Sequence, residues 1–165
     1  MYPDAGDRRT RGSLRPQLCG MLVVMQVTFV RGRDGAPYAM ISGSWRGFNE
    51  ALGDAVGSLP PRGSMEKSVS TYWIDRAEQV MRQMLERGES GVIQGGNSTT
   101  LLLRDGKVVA RSDYELFDEE QMDPVDFSHV LAEWRAEIIR VRDGEAPVIA
   151  ETYRRNPYAE ERPSG

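Results

Sequence analysis

Cysteine and histidine occur once each in this 165-residue chain, as Cys19 and His129. A lone cysteine excludes an intrachain disulfide. With a single imidazole beside it, the clustered thiolates and histidines that build most transition-metal sites are missing as well. We therefore expect no metal, no cofactor and a reducing, cytoplasmic setting. Lysine is almost missing too: nineteen of the 21 basic residues are Arg, which reads as the codon bias of a genome and not as a phosphate-binding signature. Long hydrophobic runs are absent. The longest candidate, LCGMLVVMQVTFV at 18–30, is interrupted by Gln26 and Thr28 and is too short to cross a bilayer. Basic charge is scarce where it would matter for nucleic acid. The net charge is −4, residues 1–36 carry six Arg against three Asp, and residues 91–165 carry nine basic against fifteen acidic residues. A face that neutralises phosphates needs the opposite balance.

What is present suits one domain of moderate size, with 39% hydrophobic and 28% charged residues. The stretch GVIQGGNSTTLLLRDGKVVARS, 91–112, has turn signals at Gly95-Gly96-Asn97 and Asp105-Gly106 between short apolar or alternating runs. It predicts a three-stranded antiparallel meander. A helix is expected on either side. The first, at 71–87, sets Trp73, Ala77, Val80, Met81 and Met84 on one face and ends at Gly88. The second, at 124–142, opens with Asp123-Pro124 and carries the stripe Phe127, Val130, Leu131, Trp134, Ile138 and Val141. Upstream, 20–43 reads as a hairpin turning at Asp34-Gly35, followed by a helix at about 44–57 with Trp45, Phe48, Leu52, Ala55, Val56 and Leu59 at helical spacing. Gly47, Gly53 and Gly57 weaken that helix, each by about 1 kcal/mol relative to Ala.

These elements predict an α+β fold, with an antiparallel sheet of about five strands covered by three helices. The domain spans 18–146 and contains a linker at 58–69. A basic tail at 1–17 and an extended or disordered tail at 147–165 flank it, with a short edge strand at 147–150. Arg8-Arg9 before the apolar run raises the alternative of an export signal. No small-x-small cleavage site follows, so a strand is the better reading. Met21 and Met25 are alternative translation starts. Arg-Asp-Gly recurs at 33–35, 104–106 and 142–144 without flanking similarity, as three independent turns.

Candidate chemistry is thin, and no residue is assigned a catalytic role. His129 lies off the stripe of its helix near Asp126 and Glu133, where an ordinary solvated face is a better reading than a general base. Gly95-Gly96-Asn97 leads into a strand-like run and not into a helix, which disfavours a phosphate loop, and the Asn97-Ser98-Thr99 sequon lacks a secretion signal. Residues 113–126, DYELFDEEQMDPVD, hold seven carboxylates and no base. They lack the loop order of a calcium site, and carboxylate pairing for hydrolysis is a matter of space that sequence does not supply. Tyr114, Leu116, Phe117 and Met122 alternate with the acids, combining apolar anchors with a negative field.

The expected function is that of a non-catalytic protein-interaction domain. Asp113, Tyr114, Glu115, Phe117, Asp118, Glu119 and Glu120 would meet a basic protein partner, such as a toxin or secreted effector that the chain neutralises or escorts. Toxin-neutralising immunity proteins and secretion chaperones share this build at the level of fold class. The alternative is a small-molecule or enzymatic pocket formed by Trp45, Trp73 and Trp134 between helices and sheet. A third reading is a homodimer paired through the edge strand at 20–30. Neither nucleic acid nor membrane is expected as a partner.

Overall fold

The computed structural model describes residues 25–32, 35–66 and 68–144. Its elements run β1 (Val27–Arg31), β2 (Pro37–Ile41), α1 (Arg46–Ala51, continuing into a π-helical turn, Leu52–Val56), α2 (Tyr72–Arg87), β3 (Gly91–Gly95), β4 (Thr99–Arg104), β5 (Lys107–Ser112), β6 (Glu120–Met122) and α3 (Pro124–Arg142). The class is α+β with three helices, as expected. The strands, however, form two antiparallel sheets, β1-β2 and β3-β4-β5-β6, instead of one sheet of about five. The additional strand, β6, lies inside the acidic segment, where three residues are too few to show alternation. The tail at 1–17, Cys19, the start of the expected first strand, Asp34, and everything after Gly144 lie outside the described residues.

The hairpin stays separate because side chains close its inner edge. Ser42 N–H donates to Gln26 O across the hairpin (2.9 Å), so by antiparallel alternation the backbone groups of Pro37, Ala39 and Ile41 point away from β1. Among the described residues no strand meets them. Asn49 on α1 accepts from Ile41 N–H (2.7 Å) and donates to Ile41 O (3.1 Å), so its carboxamide copies one residue of a neighbouring strand. Pro37 O accepts both the Ser58 hydroxyl (2.7 Å) and the Trp134 indole N–H (2.8 Å). Trp134, expected on a buried stripe, is fully buried, and its one polar atom is satisfied there.

α3 buries Phe127, Val130, Leu131, Trp134 and Ile138, the stripe read from its spacing, with Pro124 in its first turn. Asp123 takes the N-cap position, but its side chain makes no capping bond. α2 buries Ile74, Ala77 and Met81, leaving Trp73 and Met84 half-buried at the margin of the core. Arg135 on α3 ties the two helices by donating to Asp75 (2.7 Å) and to Glu78. In the four-stranded sheet, Leu101, Leu103, Val108, Ala110 and Met122 face the core that the helices share with the hairpin. α1 and α3 each touch both sheets and hold them together.

One carboxylate fastens the β3–β4 turn to this helical layer. Asp54, in the π-helical turn, accepts from the backbone N–H groups of Asn97 (3.1 Å), Ser98 (2.8 Å) and Thr99 (3.0 Å). Its oxygens also accept from the side chains of Asn97, Ser98 and Thr99. Burial raises the Asp54 carboxyl, but the hydrogen bonds from Ser98, Asn97 and Thr99 outweigh it and leave the group below its ordinary value of 3.8. Gly96 permits the approach: a Cβ there would lie 2.3 Å from Asp54 Oδ2 and 2.8 Å from its backbone carbonyl carbon.

Gly96→Ala should therefore lower unfolding stability by about 2 kcal/mol, the range of overpacking against a backbone that cannot yield, as measured by denaturant titration. The Asp54 carboxyl, followed by NMR, should titrate with a midpoint below 3.8. Because its folded value is depressed, its contribution to stability is complete above the unfolded value and is lost as pH falls through the folded one.

Candidate functional site

The acidic segment is a loop and a strand folded across one edge of the four-stranded sheet. Strand alternation puts Arg104, Lys107 and Arg111 on the sheet face opposite the core, and the carboxylates of the segment come down to meet them. Arg104 holds Glu119 through two hydrogen bonds (2.5 and 3.4 Å), Arg111 lies 3.6 Å from Asp113, and Lys107 pairs with Asp123. The hydrogen bond from Arg104 keeps the Glu119 carboxyl below its ordinary value and raises the guanidinium in turn. These pairs are exposed, so salt screens them, and their role is to set the position of the segment more than to stabilise the fold.

Two further contacts fix the segment to α1. Glu120 Oε2 accepts the Phe48 N–H (3.0 Å), one of the amides that the first turn of a helix leaves unpaired. The Phe117 ring lies over Gly47, where a Cβ would come within 2.8 Å of it. The start of the loop is equally defined. Asp113 N–H donates to Ser98 O (2.9 Å), and the Thr100 hydroxyl donates to the Asp113 carboxylate (2.9 Å). Ser112 Oγ accepts from Tyr114 N–H (3.3 Å) and Leu116 N–H (2.9 Å). Between them Glu115 has φ +57, the left-handed region, which gives the tight bend at the tip.

The seven residues expected to meet a partner therefore divide into two groups. Asp113, Phe117, Glu119 and Glu120 are engaged within the molecule. Tyr114 projects into solvent, 69% exposed, and Glu115 and Asp118 form no ion pair among the described residues; Leu116, outside the seven, is also turned outward at 61%. In the sequence alone all these acids look alike. Arg104, Lys107 and Arg111 were the signal that some would be answered internally, since each falls on the same face of a predicted strand.

The three tryptophans lie apart. Trp134 is buried and tilts against Tyr38 at 6.1 Å, Trp45 meets Phe48 edge-on at 5.6 Å, and Trp73 meets Tyr72 edge-on at 4.8 Å. No ring contact among the described residues joins two of them. Trp45 borders an open groove of about 280 Å³ with Lys107, Gln121, Asp123 and Asp126, whereas the groove of about 300 Å³ along α2 is walled by Asp75, Glu78, Arg82 and Arg135. His129 is exposed on α3. No group of three or more His, Cys, Asp or Glu suited to a metal ion occurs among the described residues, and no helix there is long and apolar enough to cross a membrane.

Ser112→Ala should leave the sheet intact and free the tip of the loop. The amide exchange of Leu116 is expected to accelerate about fivefold, the effect of losing one hydrogen bond of ~1 kcal/mol, as read by hydrogen–deuterium exchange. Compared with known proteins, the chain matches no family model, no curated protein and no solved structure.

Proposed function

We propose that this chain is a non-catalytic protein-interaction domain that docks a basic partner through the loop from Asp113 to Glu119, and so neutralises or escorts a toxin or secreted effector. The observation that carries the reading is the exposed pair Tyr114 and Leu116, held on a backbone that is hydrogen-bonded at both of their amides. Apolar anchors that are ordered before binding lose little conformational freedom when a partner covers them. An aromatic side chain beside an aliphatic one is the composition of an interface centre. Glu115 and Asp118 flank the pair with charge that enters no ion pair among the described residues, suited to a partner's Arg or Lys. The acids already held by Arg104, Lys107 and Arg111 are the loop's support in this reading and not its contact surface.

The test is affinity capture with the wild-type chain and with Tyr114→Ser/Leu116→Ser as baits. A basic protein held by the wild type should bind the double variant at least about tenfold more weakly, the loss expected of a truncated interface anchor. Glu115→Lys/Asp118→Lys should slow association and flatten its salt dependence. A partner that binds the wild type and the Tyr114/Leu116 variant equally would overturn the proposal.

A further inference from the structure

Burial along α1 recurs at Phe48, Ala51, Leu52, Ala55 and Val56, the three- and four-residue spacing of an unbroken α-helix. The last turn nevertheless departs from that register. Gly57 N–H donates to Leu52 O, five residues back, at 2.9 Å. Such π-helical turns are rare and need a local cause. Asp54, in the middle of this one, is the residue whose carboxylate gathers three backbone and three side-chain donors from Asn97, Ser98 and Thr99. Gly96 leaves room for the carboxylate and for the backbone behind it.

We infer that the Asp54 contact sets the register of residues 52–56, and that this segment is a two-state latch. It is π-helical while Asp54 holds the β3–β4 turn, and α-helical once that turn is released. On release, Val56 N–H takes over Leu52 O, and the change is absorbed at Gly57. Its φ of +70 and ψ of 169 belong to glycine, and among the described residues Leu52 O is the one backbone acceptor for its amide. Beyond it, Ser58 remains anchored on Pro37 O, so the rearrangement is confined to a single turn. The inference stands apart from what the 113–119 loop binds.

Scalar couplings across hydrogen bonds read the register directly. The wild-type chain should show a coupling between Gly57 N and the Leu52 carbonyl carbon. In Asp54→Ala it should be replaced by one between Val56 N and the same carbonyl, with amide exchange at Asn97, Ser98 and Thr99 faster by about tenfold or more. Thr99→Val removes one donor of the six and serves if Asp54→Ala does not fold. In it, Gly57 and Ser98 amide exchange should rise together. Persistence of the Gly57–Leu52 coupling in folded Asp54→Ala would overturn the inference, as would faster exchange at Ser98 with Gly57 unchanged in Thr99→Val.

Discussion

Two carboxylates, one at each end of a short helix, decide how this molecule is joined. At the N-terminal end of α1, Glu120 reaches from β6 to the free amide of Phe48; at the other, Asp54 reaches out from the helix to the turn between β3 and β4. Both contacts pair an ionised acceptor with backbone N–H groups that would otherwise have only water or nothing, and such bonds are among the stronger ones in proteins. Through them the four-stranded sheet grips α1 at two places far apart on its own chain. Asn49, between the two, grips the hairpin. The helix is short and rich in glycine, and local propensity would not keep it folded. It is held because three separate parts of the structure use its ends and its side as fixed points.

This explains which parts of the fold were legible in the residues and which were not. α3 could be read because every signal for it is local: Asp123-Pro124 at the start, apolar residues at 3.6 spacing, Arg140 and Arg142 at the end. The turns at Gly95–Asn97 and Asp105–Gly106 were legible for the same reason. The glycines of α1 appeared only as weaknesses. Gly47 proves to be the floor beneath Phe117, and Gly57 the residue that leaves the π-helical turn, while Gly53 borders open space and nothing in the structure explains it. Asp54, Asn49 and Glu120 carry no local mark of their role, since Asp54 and Glu120 meet partners 43 to 72 positions away. The split of one expected sheet into two follows from the same blindness: only coordinates reveal that a carboxamide, a hydroxyl and an indole occupy the edge of β2.

The acidic stretch shows a different limit. By composition the stretch is a continuous negative shoulder, whereas the folded chain sets its own Arg104, Lys107 and Arg111 against it. What is left outward is narrower than the composition implied. Two apolar side chains, and two acids with no ion pair among the described residues, stand on a loop whose backbone is defined at the start, the tip and the end. Charge in this segment serves mainly to place those side chains, and the field that reaches solvent comes from a minority of the acids. The three tryptophans, similar in sequence setting, likewise end in three separate surroundings, because a helical stripe fixes which side of a helix faces inward and not which neighbours it finds there.

The closed edge of β2 has a consequence for how copies of this protein meet. An open strand edge is a template on which another chain can stack, the first step toward fibrils and exchanged strands. Here Asn49 already plays the visiting strand at Ile41, and Pro37 has neither a hydrogen to offer nor a free carbonyl, so two of the three outward-facing positions of β2 are taken. A molecule that extends this hairpin along β2 must first displace Asn49 of α1 and Trp134 of α3, so the two helices packed on that flank shield it.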